Sequence, residues 1–412
     1  MATIQPFQAF RYTAAAGDPA ALLTQPYDKI SPEMRDRYLA ASPHNLVRVI
    51  LGERFESDND SNNVYTRAAK YLDDWIRDGI LAQDAKPRLY AYFQEFEVPD
   101  TRERAVRQGF IGLGKVEDYS ANVVYRHEQT LSGPKKDRLE LLRHTHGHFG
   151  QIFMLYPDRK GLVDEQLAKA AEGAPILDVV DEYGARHRVW AIEDAGQIDR
   201  IQQAMTPMKL LIADGHHRYE TALAYRNENP SNPAAQFVMM TFVNMHSPGL
   251  KILATHRVLR NLDRFDADRF IANAQPVWTA RACGSVAELK AAMDVRKPGT
   301  VRIGVVTQGA AYLLERPRAE GELDVPVLHH EILETILGIG QEAVRDEKYI
   351  TYFRGADNAA AEVLENGAQA AFLLEPTPMD EMARIAFGGG VMPQKSTDFY
   401  PKLLSGVTIY RV

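Results

Sequence analysis

The sequence predicts an α/β fold of mixed α+β type, and three observations carry that reading. Strand-like segments rich in Val, Ile and aromatic residues alternate with amphipathic helical segments along most of the chain. Apolar residues make up 45% and charged residues 25%, the balance of a globular protein with material for a core. At 412 residues two or three units are expected. Changes in element pattern place them at 1–118, 119–263 and 264–412.

Ser31-Pro32-Glu33 joins a capping hydroxyl to a proline at the first helical position, which predicts a helix over 32–41. "NLVRVIL" reads as a strand, because Val and Ile cluster there. Val64, Ala68, Tyr71, Leu72, Trp75 and Ile76 repeat at helical spacing, and Gly79 marks the end. "RLYAYFQEFEV" alternates as a strand, with "RQGFIGLGKVEDY" beside it. From 119 the chain enters a long polar loop, a feature that is often functional. A helix from about Lys135 and a strand at "QIFMLYPD" follow. "VVDEYGARHRVWAIED" reads as a hairpin, "AGQIDRIQQAMTP" as a helix, and "KLLIADG" and "PAAQFVMMTFVNM" as strands. Beyond 264, helices are expected at "FDADRFIANA", "SVAELKAAMD" and "HHEILETILGI". Strands are expected at "VRIGVVTQGAAYLLER", "YITYFRG", "AAFLLEP" and "GVTIYRV".

Charge and cysteine usage narrow the function classes. A formal net charge of −7 argues against a protein that coats nucleic acid. The single cysteine, Cys283, allows neither an internal disulfide nor a Cys-rich zinc site, and fits a reducing, cytoplasmic setting. "MATIQPFQAFRY" has no basic stretch leading into an apolar core, so no signal peptide is expected. No apolar run reaches the roughly 18 residues of a membrane span.

The chemistry concentrates in "LLIADGHHRYETALAYR", residues 210–226. An apolar strand ends in Asp214-Gly215-His216-His217-Arg218 and a helix begins at once. A helix N-terminus presents unpaired amides and partial positive charge, which suits an anion and phosphate above all. Gly215 allows close backbone approach. Arg218 can grip phosphate oxygens with two donors. Asp214 can hold Mg²⁺ or orient a hydroxyl, and His216 or His217 can carry a proton near neutral pH. A plain Asp-Gly turn with a capping aspartate would need none of the last three residues.

Other constellations could complete a site. "RHEQT…GPKKDR" offers His127 and Glu128 as bases, and Lys135 and Arg138 on one helical face as phosphate ligands. Lys395, Ser396 and Thr397 follow Gly388–Gly390, but the second glycine of a phosphate loop is missing, so no Walker site is expected. Tyr27 and Asp28, and Thr255, His256 and Arg257, are further pocket candidates. His144, His146 and His148 alternate as a ligand set could, which keeps a metal-dependent hydrolase or phosphatase as a rival. His127-Glu128 does not continue into a zinc-protease HExxH motif.

The turn resembles the signature of the ParB/sulfiredoxin superfamily. Sulfiredoxins carry Gly-Cys-His-Arg, ParB proteins Gly-Glu-Arg-Arg, and free serine kinases Asp-Gly-His-x-Arg. Gly215 and Arg218 match all three, and Asp214 and His216 match the kinases. His216 occupies the sulfiredoxin nucleophile's position, so sulfinic acid reduction is not implied. "PYDKIS", "HNLVRVILGE", "RHEQTLSGPKKDRLELLR", "IADGHHRYETAL", "LATHRVL" and "MPQKSTDFYPKLLSG" together resemble a widespread family of uncharacterised proteins, a domain of unknown function labelled ParB-like. Gln25 departs from the proline expected before Pro-Tyr-Asp, and "HTHGHFGQIF" is less typical than its neighbours.

These resemblances imply a ParB/sulfiredoxin-like core with additional α+β subdomains. They also imply a nucleotide- or phosphate-binding enzyme, a small-molecule kinase or NTP hydrolase, with Mg²⁺ and a nucleotide as cofactors. The expected partner is a small molecule or nucleotide, with no nucleic acid and no membrane. A ParB-like nucleotide switch or partner-binding protein without turnover is the alternative.

Overall fold

The computed structural model describes residues 1–99, 101–128, 133–295, 297–393 and 395–412. The fold is mixed α+β, as the pattern predicts. The described residues form two compact units: 1–98 with 103–250 and 401–412, and 99–102 with 251–400. Strands on both sides of residue 118 share one sheet.

That sheet has nine strands. They are β1 (Ile4–Gln5), β2 (Leu89–Glu97), β3 (Arg104–Lys115), β4 (Val124–Tyr125), β5 (Ile152–Tyr156), β6 (Leu177–Val180), β7 (Arg186–Ile192), β8 (Leu210–Asp214) and β9 (Phe237–Asn244). Their order is β4-β8-β5-β9-β3-β2-β7-β6, with β1 added to β3. Pairing is antiparallel except for β8 with β4 and β9 with β5.

Alternation along β2 decides what each face holds. Leu89, Ala91 and Phe93 enter a core completed by Val163 and Leu167, Ile198 and Ile201, and Tyr219 and Ala222, from three helices. Tyr90, Tyr92 and Gln94 point to the other face and are also buried. Their polar atoms are met by Asp84, His187 and Arg107 respectively, as buried polar groups require.

Helix Pro32–Ala41 forms as expected, with the Ser31 hydroxyl accepting from the Met34 amide. Helix Val64–Arg77 also forms, closed by a capping box between Asn63 and Thr66. "NLVRVIL" is a correction, since Val47–Ile50 is a short helix. Asn45 accepts from the Val47 amide and starts the turn. Leu46, Val49 and Ile50 then pack with Leu72 and Trp75, so burial on all sides mimics a strand's composition.

The second unit is a six-stranded antiparallel sheet built from 255–259, 279–283, 300–307, 311–317, 350–354 and 370–373. Val301, Ile303 and Val305 face a core shared with Phe270 and Leu328. Val306 and Leu373 face Leu289, Ala359 and Val363 on the other side. The expected α-helix at "HHEILETILGI" is a π-helix, Leu328–Ile336. No helix is long and apolar enough to cross a membrane among the described residues.

Candidate functional site

Strand β8 buries Leu210–Ala213 and shifts register against β5 before Asp214, which turns the chain out of the sheet. Gly215 follows at φ +93°, and the motif helix runs His216–Glu228. Gly215 at the N-cap has no side chain to cap this helix. The Asp214 Oδ1 accepts from the Gly215 amide at 2.9 Å. A Cβ on Gly215 would lie 2.8 Å from Arg218 Nε, because the guanidinium folds back over the turn. Gly215→Ala is therefore expected to lower stability by about 1–2 kcal/mol from left-handed strain. Thermal melts check this.

Arg218 is the unusual residue. Its side chain is only 15% exposed, and its one charged partner is Asp214 Oδ2 at 3.7 Å. It makes no hydrogen bond among the described residues, although a guanidinium carries five donors. Lys402 Nζ, itself 10% exposed, reaches the same Oδ2 at 3.6 Å. Burial pushes the Asp214 carboxyl up, but Lys402, Arg218, Lys29 and His216 outweigh it and hold the group well below the usual carboxylate range. Asp28 sits beside Lys29 at 3.9 Å.

Lys402 was not singled out in the sequence. A buried network brings it in. Arg107 donates to Gln94 Oε1 at 3.0 Å and to the Pro401 carbonyl at 2.5 Å. Gln94 donates to the Lys402 carbonyl at 2.8 Å. Tyr92 meets His187 Nδ1 at 2.7 Å, and His187 Nε2 meets Asp181 at 3.2 Å. The one available signal was that Lys402 lies inside "MPQKSTDFYPKLLSG".

The histidines of the turn are neutral. His127 is fully buried, donates from Nδ1 to the Ile212 carbonyl at 2.7 Å, and is pushed down to about 4 by burial. His216 meets it edge to face at 4.8 Å. Burial and the neighbouring His127 hold His216 well below its usual value. His216 is 8% exposed, and its Nε2 has no partner among the described residues. Burial lowers half-buried His217 as well.

A depressed histidine takes its proton only on unfolding, so stability is full above the unfolded value near 6.5 and falls as pH drops towards the folded value. His127 and His216, with His256 at about 4 in the second unit, each contribute to that slope. The expected loss is about 1 kcal/mol per histidine per pH unit. Thermal melts between about pH 7.5 and 5 check this, and a flat midpoint would contradict it.

Of the remaining expected site residues, some stay beside the motif helix and others belong to the second unit. Tyr27 lies under the Arg138 guanidinium at 4.3 Å, and Arg138 also donates to the Ile50 carbonyl at 2.7 Å. Lys135 is ion-paired with Glu220 of the motif helix. Glu128 is half-buried and directly precedes 129–132, which lie outside the described residues. Thr255, His256, Arg257, Lys395, Ser396 and Thr397 belong to the second unit. There Arg257 donates to the Lys395 carbonyl at 3.0 Å, Ser396 donates to the Pro393 carbonyl at 2.7 Å, and His256 accepts from the Leu374 amide at 3.2 Å.

The alternating histidines do not converge. His144 meets the Glu140 carbonyl, His146 the Tyr225 hydroxyl, and His148 stacks on Tyr410. No group of three or more His, Cys, Asp or Glu side chains is placed to hold a metal among the described residues.

No curated protein matches the chain. Among solved structures it is similar to a conserved hypothetical protein from Pyrococcus furiosus, at 11% identity and TM-score 0.36, over 69% of this chain and 91% of that one. It is similar to a free serine kinase in complex with AMP, at 10% identity and TM-score 0.38, over 67% and 83%. SbnI with a C-terminal truncation from Staphylococcus aureus is similar at 11% identity and TM-score 0.36, over 71% and 85%. A family match covers residues 4–332, and the chain belongs to the family described as a protein of unknown function, DUF1015.

Proposed function

We propose that the first unit binds a nucleotide or other phosphorylated small molecule at the Asp214–Arg218 turn and transfers or hydrolyses its phosphoryl group. The observation that carries this is Arg218: a guanidinium largely withdrawn from water whose donors make no hydrogen bond among the described residues. Such a group is costly unless an anion completes it. The motif helix begins at the same turn, with glycine at its N-cap and no side-chain cap hydrogen bond from it.

In this reading Arg218 and the helix amides hold phosphate oxygens, and Lys402 and Lys29 add positive charge. Positioning and electrostatics of this kind are most of what phosphoryl transfer needs. Asp214 stays ionised and suits Mg²⁺, which is commonly held by one or two carboxylates with phosphate oxygens completing its shell. When bound, Mg²⁺ would neutralise charge developing on the phosphates. His216, whose Nε2 has no partner among the described residues, is the group placed to exchange a proton with a hydroxyl. Glu128 is the second base in this scheme. The motif's resemblance to free serine kinases, within a ParB/sulfiredoxin-like core, favours a free amino acid or another small hydroxyl compound as acceptor.

The test is turnover. The protein is incubated with ATP and Mg²⁺, alone and with serine or other small alcohols, while ADP and phosphorylated product are followed. Acceptor-dependent ADP supports the kinase, and ADP without acceptor supports the hydrolase. Bound nucleotide that never turns over would overturn both and leave a nucleotide switch.

A further inference from the structure

On the polar face of the nine-stranded sheet, His187 of β7 stands opposite Gln94 of β2. Gln94 turns its oxygen to Arg107, so its amide nitrogen is the atom that meets His187 Nδ1, at 3.3 Å. The Tyr92 hydroxyl meets the same Nδ1 at 2.7 Å. An amide nitrogen can only donate, so Nδ1 accepts and Nε2 carries the ring proton. Nε2 then donates to Asp181 Oδ2 at 3.2 Å, and the two side chains are 0% and 2% exposed. Two arms leave this pair. In the first, Gln94 Nε2 also donates to the Lys402 carbonyl at 2.8 Å, and the Tyr92 hydroxyl accepts from the Leu404 amide at 3.4 Å. In the second, Asp181 Oδ2 accepts from Gln25 Nε2 at 3.2 Å, and the Gln25 amide donates to the Tyr38 hydroxyl at 3.3 Å. Gln25 directly precedes Pro26, which starts the turn Tyr27–Lys29. Lys402 and Lys29 are both among the charges that hold Asp214 ionised. Two lysines far apart in sequence are thus tied to one buried histidine.

We propose, resting on the phosphate reading above, that His187 is a positioning residue of the anion site. Through Gln94 it fixes the backbone that sends Lys402 to Asp214. Through Asp181 and Gln25 it fixes the turn that sends Lys29 towards the same carboxylate. Lysine is a point charge on a flexible stem, so the backbone beneath it has to be held where the charge is needed. A buried polar pair adds little stability over well-packed apolar side chains of the same volume. What a fully partnered network adds is direction, because each donor and acceptor admits few arrangements. Here the directions are spent on the two segments that deliver cations to the turn.

Calorimetric titration of the intact protein with pyrophosphate tests this through two double-mutant cycles. One combines His187→Leu with Lys402→Ala, and the other combines Gln25→Leu with Lys29→Ala. Circular dichroism confirms folding of each variant. His187→Leu is expected to weaken binding about tenfold when Lys402 is present and less than about threefold once it is alanine, since that arm then has nothing to position. Gln25→Leu is expected to weaken binding about threefold, and to have no effect once Lys29 is alanine. Equal losses with and without the lysines would mark a general effect on the fold and overturn the positioning role. Unchanged affinity in folded His187→Leu and Gln25→Leu would overturn it as well, and in both cases the phosphate site would stand. If His187→Leu does not fold, the Gln25 cycle decides by the same criterion. No pyrophosphate binding in wild type would remove the phosphate reading and the positioning role with it.

Discussion

Arg218→Ala is expected to lower affinity for ADP and for pyrophosphate by about 100-fold, the loss of one or two charge-assisted hydrogen bonds. The midpoint of the ligand-free protein should move little, because Arg218 donates no hydrogen bond among the described residues and meets Asp214 only at 3.7 Å. That split distinguishes a ligand-binding arginine from a structural one, whose removal would lower stability first. Arg218→Lys should recover only part of the affinity, since an ammonium keeps the charge and loses the two-pronged geometry. Calorimetry and thermal melts on the same preparations read both quantities. Unchanged pyrophosphate affinity in Arg218→Ala would move the anion away from the turn.

Asp214→Asn should separate binding from chemistry. Asparagine keeps an oxygen for the Gly215 amide, which Asp214 accepts at 2.9 Å. It removes the negative charge that faces Lys402 and Arg218 at 3.6 and 3.7 Å. Lys402, Arg218 and Lys29 then lose their shared counter-charge, and ligand-free stability should fall by about 2 kcal/mol. That is less than for a fully buried pair, because a quarter of the Asp214 side chain reaches solvent. Pyrophosphate should restore the loss, and without Mg²⁺ it should bind more tightly than in wild type. Mg²⁺-dependent turnover should vanish. If turnover survives, Asp214 is not the group that places the metal or the acceptor.

The sequence exposed the local part of this site and hid the long-range part. The turn was legible because strand, glycine, charged residues and helix follow one another within a few positions, and β8 and the motif helix form where the pattern puts them. Lys402 was hidden because only sheet packing carries it to Asp214, through Gln94 and Arg107 on the buried polar face of β2 and β3. The same long-range pairing joins β4, β5, β8 and β9 to earlier strands. Val47–Ile50 misled because residues buried on every side lose the alternation that tells strand from helix. Lys395, Ser396 and Thr397 belong to the second unit, where Ser396 donates to the Pro393 carbonyl.

The most direct test of the phosphate site is the thermal midpoint of the wild-type protein with ATP, ADP, CTP and pyrophosphate, each with Mg²⁺ at millimolar concentration. A ligand that binds only the folded state adds about 2.7 kcal/mol when present at roughly 100 times its Kd. The expected result is a rise of several degrees with at least one of the four. No rise with any of them would contradict an anion site at Asp214–Arg218.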